Sequence, residues 1–311
     1  MLPGMVIASR ERWTAFAAVL PFLALVAAGC EPALPPLTPP PIPAAALPPA
    51  DTASSPAASG FGVPQATPSV VEREVALAES LGARLFTHAL FTRKAQDALR
   101  QARLIAADAP APDAVVVERG EGGVVHFIAM DGASPRTLYR VAIADGAGDE
   151  LHLETAPPPT PDDQVAAAFH ARKTVLRDWT ATLPNEYRSY VISAPGDRPG
   201  WLVYLVAQPR KPNEMMVGGH QRFRVTSDGL TIQERFAFSK TDLSLPLGPA
   251  EVPAGGVVVG LWMTHLTTDA PTEMHVFLSL LHRLPLQVGT RLGIWEVNVG
   301  EITFLGAMGG R

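Results

Sequence analysis

The chain has 311 residues, with 25 Lys and Arg against 30 Asp and Glu, a net charge of −5 and a single cysteine. So small a charge, with no Lys/Arg block anywhere, argues against nucleic acid as a partner. One cysteine rules out an internal disulfide, so a folded body must rely on burying part of the 47% of residues that are hydrophobic.

At the N-terminus, Arg10 and Arg12 precede seventeen residues, 13–29, that carry no charge. A short basic region followed by an apolar run has the layout of an export signal. The run falls short of the ~20 apolar residues a membrane span needs. Pro21 in its middle also removes a helical hydrogen bond, so a permanent transmembrane anchor is the weaker reading. The end of the run, Ala27-Ala28-Gly29-Cys30, resembles the lipobox read by lipoprotein signal peptidase, with Ala27 standing where the family prefers Leu. That resemblance implies removal of residues 1–29, a diacylglycerol thioether on Cys30 and a further fatty acyl chain, such as palmitate, on its new amino group. Glu31 follows the cysteine, where enterobacterial lipoproteins kept at the inner membrane carry aspartate. The resemblance therefore implies an outer-membrane anchor with the body facing the periplasm. An unpaired cysteine in an exported protein is either reactive or modified, and this one lies where lipid chemistry needs a thiol.

Residues 30–68 read as the lipidated cysteine and a linker. Twelve prolines fall between 31 and 68, with many alanines and no basic residue. Proline fixes φ and lacks an amide donor, so the segment favours extended polyproline II and cannot build a core. At ~3.1 Å per residue its reach is at most about 120 Å.

The remaining residues are expected to form an α+β body, helices packed on antiparallel sheets, in two successive helix-plus-sheet units, 69–158 and 159–311. Residues 70–107 have helical spacing, with Phe91, Ala95, Ala98, Ala102 and Ile105 on one face. Gly82 or the stretch 87–92 is expected to divide this helix in two. Strands follow at 114–118, 123–130, 136–143 and 149–154, separated by Gly-containing turns. A second helix is expected over 160–180, with Thr160 as N-cap, Pro161 at N1, and Asp162 and Asp163 complementing the dipole. Val165, Phe169, Val175 or Leu176, and Trp179 mark its buried face. Beyond it the sequence reads as strands: 187–194, 201–207, 217–226, 230–239, 256–266, 273–279, 286–290, 294–299 and 301–305. Asp228-Gly229 supplies the best hairpin turn. Residues 160–240 loosely resemble PepSY or cystatin-like modules, which curl a sheet around one helix. Two stretches, beginning at Val217 and Pro271, are similar to exported proteobacterial proteins of unassigned function.

Strong catalytic motifs are missing: the sequence contains no HExxH, GxSxG, Walker loop, GxGxxG, CxxC or EF-hand loop. The most suggestive cluster holds His265, Asp269, Glu273, His275 and His282, of which His265, Glu273, His275 and His282 make a candidate zinc set if three ligands converge with a fourth position open. Glu273 and His275, two apart on the expected strand, would share a face. Arg222 and Arg224, with Arg235 and Lys240 beyond, lie on the polar positions of the hairpin and offer a stripe for an anionic ligand. His220 follows Gly218-Gly219, read as a bend at strand entry. The other histidines read as structural or exposed. Trp201, Trp262 and Trp295 read as core packing in strands.

The leading expectation is a lipid-anchored cell-envelope protein whose body is non-catalytic, takes no cofactor, and binds another envelope protein or an anionic envelope component. Two alternatives stand beside it. One is a metal-dependent envelope hydrolase using zinc on His265, Glu273 and His275. The other, implied by the PepSY resemblance, is an inhibitor or chaperone of a secreted protease.

Overall fold

A computed structural model describes residues 5–7, 68–119, 122–132, 134–144, 151–154, 160–179, 186–211, 213–247 and 260–307. The expected lipidation at Cys30 and the Pro-rich linker lie outside the described residues. Among the described residues the architecture is α+β, with three helices and several antiparallel sheets. Helix α1 (Pro68–Gln101) is unbroken across Gly82 and residues 87–92, contrary to expectation. Its 34 residues span about 51 Å at 1.5 Å per residue. It ends in a Schellman motif: Leu104 N–H donates to Leu99 O (2.9 Å), Arg103 N–H donates to Arg100 O (3.0 Å), and Arg103 takes the left-handed position at φ 56°.

The first sheet is antiparallel throughout, in the order β1-β5-β4-β3-β2, from β1 (Met5–Ile7), β2 (Asp113–Arg119), β3 (Gly122–Asp131), β4 (Ser134–Ile143) and β5 (Leu151–Glu154). The C-terminal half of α1 packs on it, with Phe91, Ala95 and Leu99 meeting Val116, Val125, Phe127, Val141 and Leu153.

Helix α2 (Asp163–Asp178) begins two residues later than expected. Asp162, not Thr160, is the N-cap, its carboxylate accepting from Val165 N–H at 2.8 Å. The helix buries Val165, Ala168, Phe169, Ala171 and Val175. It covers one face of a second antiparallel sheet, order β10-β9-β7-β6, from β6 (Tyr187–Ser193), β7 (Trp201–Ala207), β9 (Gln221–Val225) and β10 (Ile232–Ala237). Between β7 and β9 runs β8 (Glu214–Met216), paired with β11 (Ser244–Pro246). The β9–β10 connection uses Asp228-Gly229, with Gly229 at φ 77°.

The second sheet is buried on both faces, which is why β7, WLVYLVA, is almost wholly apolar. Val203, Leu205, Phe223 and Val225 face α2, while Ile192, Leu202, Tyr204 and Val206 join the core formed by α1 and a third helix. That helix, α3 (Glu273–His282), is the main correction to the sequence reading, since 273–279 is expected to be a strand. It links β12 (Leu261–Thr264) to β13 (Leu286–Gly289), which lie parallel, and β14 (Ile294–Asn298) and β15 (Glu301–Gly306) complete a four-stranded sheet. A parallel pair needs a crossover, and α3 is that crossover.

Helix α1 is shared by the two expected units. Its N-terminal half, through Val71, Ala78, Leu81 and Leu85, packs into the core with Met274, Val276, Phe277 and Trp295. All the described residues fall in one compact unit. At Gly82 the helices α1 and α3 touch backbone to backbone: a Cβ added there would lie 2.4 Å from Val276 Cβ and 2.7 Å from Glu273 O. Glycine is required by the crossing rather than by a helix break.

Candidate functional site

The strand-to-helix correction reorders the candidate metal set. On a helix, residues two apart point to opposite sides, so Glu273 and His275 diverge instead of sharing a face. Glu273, at the start of α3, turns toward the second sheet. Its Oε1 accepts from Tyr204 Oη at 3.2 Å and forms an ion pair with Arg222 Nη1. Glu273 is 5% exposed and Tyr204 fully buried. Burial, followed by the Glu273 charge, pushes the Tyr204 hydroxyl well above its usual range, so it stays a donor. Burial opposes the Arg222 charge, and the Glu273 carboxylate offsets it. The guanidinium also lies 4.8 Å from the Phe236 ring centroid.

His275 points the other way and closes the helix start. Its Nδ1 accepts from Thr272 N–H at 3.0 Å, the task a Glu or Gln performs in a capping box. Its ring meets His265 edge-on at 4.8 Å, and His265 Nε2 is engaged by Thr267 Oγ1 at 2.8 Å. Burial, then the neighbouring His265, lowers the His275 pKa to about 3. Burial lowers that of His265 as well. His282 lies two turns along α3, about 10 Å from His275 along the helix axis at 1.5 Å per residue. The four candidate zinc ligands therefore do not converge. Among the described residues no three His, Cys, Asp or Glu side chains gather as a metal ion requires.

The hairpin residues are also inward-looking. Arg222 and Arg224 are not on a solvated face; they share their side of the sheet with Leu202 and Tyr204, opposite which they are paired. Arg224 Nη2 donates to Arg198 O at 2.6 Å. His220 is fully buried: its Nδ1 accepts from Ala207 N–H at 3.1 Å, which fixes the proton on Nε2, facing Met216 O at 2.9 Å. Burial lowers its pKa to about 4, so the ring is a neutral brace between β7 and β8. Gly218 and Gly219 do form the expected bend. Gly219 has φ 82°, and a Cβ on Gly218 would lie 2.5 Å from Thr241 O.

Above the Glu273–Arg222 pair opens a cleft of about 320 Å³. One wall is α1, through Glu74, Leu77, Ala78 and Leu81. The other comprises Arg222, Phe236 and residues 267–273, with Arg291 at the rim. Arg291 is held by Asp269, Nε to Oδ1 at 2.9 Å. The cleft draws on residues 74 to 291, and no local pattern in the sequence announces it.

A second polar cluster also escapes local reading. Arg84 Nε contacts both oxygens of Glu118 (3.0 and 3.2 Å), while its two Nη atoms donate to Ser193 O (3.1 Å) and Ser193 Oγ (2.8 Å). Buried His88 contacts the same carboxylate at 2.9 Å. The His88 hydrogen bond, partly opposed by burial and reinforced by Arg84, holds the Glu118 pKa down to about 2. Ser193 is bonded to Arg84 rather than to His88, so this is a clamp joining α1 to both sheets.

The tryptophans divide. Trp295 is buried and donates from Nε1 to Thr290 Oγ1 at 2.9 Å, whereas Trp262 is 51% exposed, contrary to expectation. No family model matches the chain, and no curated protein or solved structure is similar enough to it to assign a relationship.

Proposed function

We propose that the chain is a lipid-anchored cell-envelope protein whose body binds another envelope protein through the cleft between α1 and α3. The observation that supports binding rather than catalysis is the engagement of the polar groups on the wall opposite α1. Glu273 is held by Tyr204 and Arg222, Asp269 by Arg291, His265 by Thr267 and His275 by Thr272. Such groups keep a preformed shape and are poorly placed to exchange protons or take a metal. The anchoring half of the proposal rests on the lipobox resemblance at Cys30, and the linker gives the body reach from the membrane. Arg222 and Arg224 contribute their charge and donors inside the body, which favours a protein partner over an anionic polymer lying on the hairpin.

The test is selective loss of partners from protein purified in detergent extracts of its own envelope. Leu77→Arg places a long charged side chain at the exposed rim of the cleft. Leu176→Arg does the same on α2, outside the cleft lining. The proposal expects a co-purifying envelope protein to be lost with Leu77→Arg and kept with Leu176→Arg. Equal recovery with both variants would refute it.

A further inference from the structure

Helix periodicity arranges the α1 wall of the cleft in a specific way. Glu74, Leu77, Ala78 and Leu81 stand at positions i, i+3, i+4 and i+7, so they form one stripe along the helix. The stripe runs about 10 Å at 1.5 Å per residue, with a carboxylate at one end and apolar carbons along the rest. Phe236 faces it from β10.

The charges in the lining do not balance. Glu74, Asp269 and Glu273 stand against Arg222 and Arg291, three negative and two positive, giving −1. Both guanidinia are engaged by carboxylates, Arg222 by Glu273 and Arg291 by Asp269. Among the described residues Glu74 has no ion-pair partner, and it is exposed. The uncompensated charge of the cleft is therefore the carboxylate that ends the apolar stripe. A ligand complementary to that arrangement carries an apolar stem and a terminal cation.

We propose that the cleft takes a lysine side chain presented by the partner protein, its methylene stem lying along Leu77, Ala78 and Leu81 and its ammonium at Glu74. The inference rests on the binding-cleft reading above and names the group that the cleft recognises. An exposed carboxylate–ammonium pair is weak and is screened by salt, so a single lysine binds loosely and gains affinity from the rest of the partner.

The experiment titrates the full chain with three blocked amino acids, N-acetyl-lysine, N-acetyl-norleucine and N-acetyl-glutamate, each as the N-methylamide. Binding is followed by backbone amide shifts. The lysine probe is expected to shift the cleft residues and to bind more tightly than the norleucine probe, which keeps an apolar stem without the charge. Glu74→Gln should weaken the lysine probe by up to about fivefold and leave norleucine unchanged, as a lost exposed ion pair requires. Leu77→Ser, also at an exposed position, should weaken both. Preference for the glutamate probe, or a lysine affinity unchanged by Glu74→Gln, would overturn the inference while leaving the cleft as a binding site. Failure of the lysine probe to shift the cleft residues would overturn the inference, whereas the binding-cleft reading falls only if Leu77→Arg leaves the co-purifying partner bound.

Discussion

Replacing Gly82 by alanine tests the helix crossing that positions Glu273 at the floor of the cleft. In an open helix the change stabilises, because alanine is the better helix former by about 1 kcal/mol. Here the new methyl would lie 2.4 Å from Val276 Cβ, 2.6 Å from Val276 Cγ1 and 2.7 Å from Glu273 O. Two of these atoms belong to a buried β-branched side chain and the third to the backbone, so none can swing aside. Overpacking of this kind costs about 1–3 kcal/mol, occasionally more. With contacts so short the upper end applies, and the net effect is a loss of ~2 kcal/mol, about thirtyfold in the folding constant. Urea unfolding followed by circular dichroism should show a lower midpoint with an unchanged slope. Adding Val276→Ala should recover part of the loss, giving a coupling that two distant sites would not show. A raised midpoint for Gly82→Ala alone would refute the crossing and, with it, the placement of Glu273.

Further outcomes follow from the same contacts. Arg222→Ala leaves a buried carboxylate without its cation and should destabilise the fold by about 3 kcal/mol, measured by denaturant titration; replacing Arg222 and Glu273 together by methionine should recover much of it. His275 and His220 have folded pKa values of about 3 and about 4, below the ordinary value of 6.5, so the unfolded chain binds more protons across that window. Stability should therefore be complete above about pH 6.5 and fall as pH drops toward these values. His275→Asn should flatten the acid limb by up to about 1.4 kcal/mol per pH unit. Glu118→Gln should loosen α1 from both sheets, seen as faster amide exchange near Arg84 and His88, and should remove the stability that Glu118 itself loses as pH falls toward about 2. A chain beginning at Cys30 lacks β1, so the outer-edge amides of Leu151–Glu154 should exchange faster than in the full-length chain.

The sequence conveyed the local elements better than their assembly. The strands of the first sheet and the Asp228-Gly229 hairpin carry turn signals and alternation, and they lie close to their expected bounds. Helix α3 is hidden in the sequence for a physical reason. Met274, Val276, Phe277 and Leu278 are all buried, so the helix is apolar nearly all round and has no 3.6-residue stripe to distinguish it from a core strand. Its start signal was hidden as well, because a histidine performs the capping task usually given to Glu. Gly82 is ambiguous in the sequence because a glycine in a helix marks a break and a close crossing with the same letter. Once 273–282 is helical, Glu273 leaves the histidines and joins Arg222, some fifty residues earlier in the chain. Of the residues singled out from the sequence, Arg222, Asp269 and Glu273 line the cleft. Glu74 and Leu77 looked like any exposed helical positions until the opposite wall was in place.

The claim on which the cellular role depends concerns Cys30, and the most direct test is the intact mass of the protein extracted from its native membrane. The account expects a chain lacking residues 1–29 and heavier than the remaining polypeptide by a diacylglyceryl group and one further acyl chain, with Cys30→Ser abolishing the added mass. A species that retains residues 1–29, or one beginning elsewhere with an unmodified thiol, would contradict it.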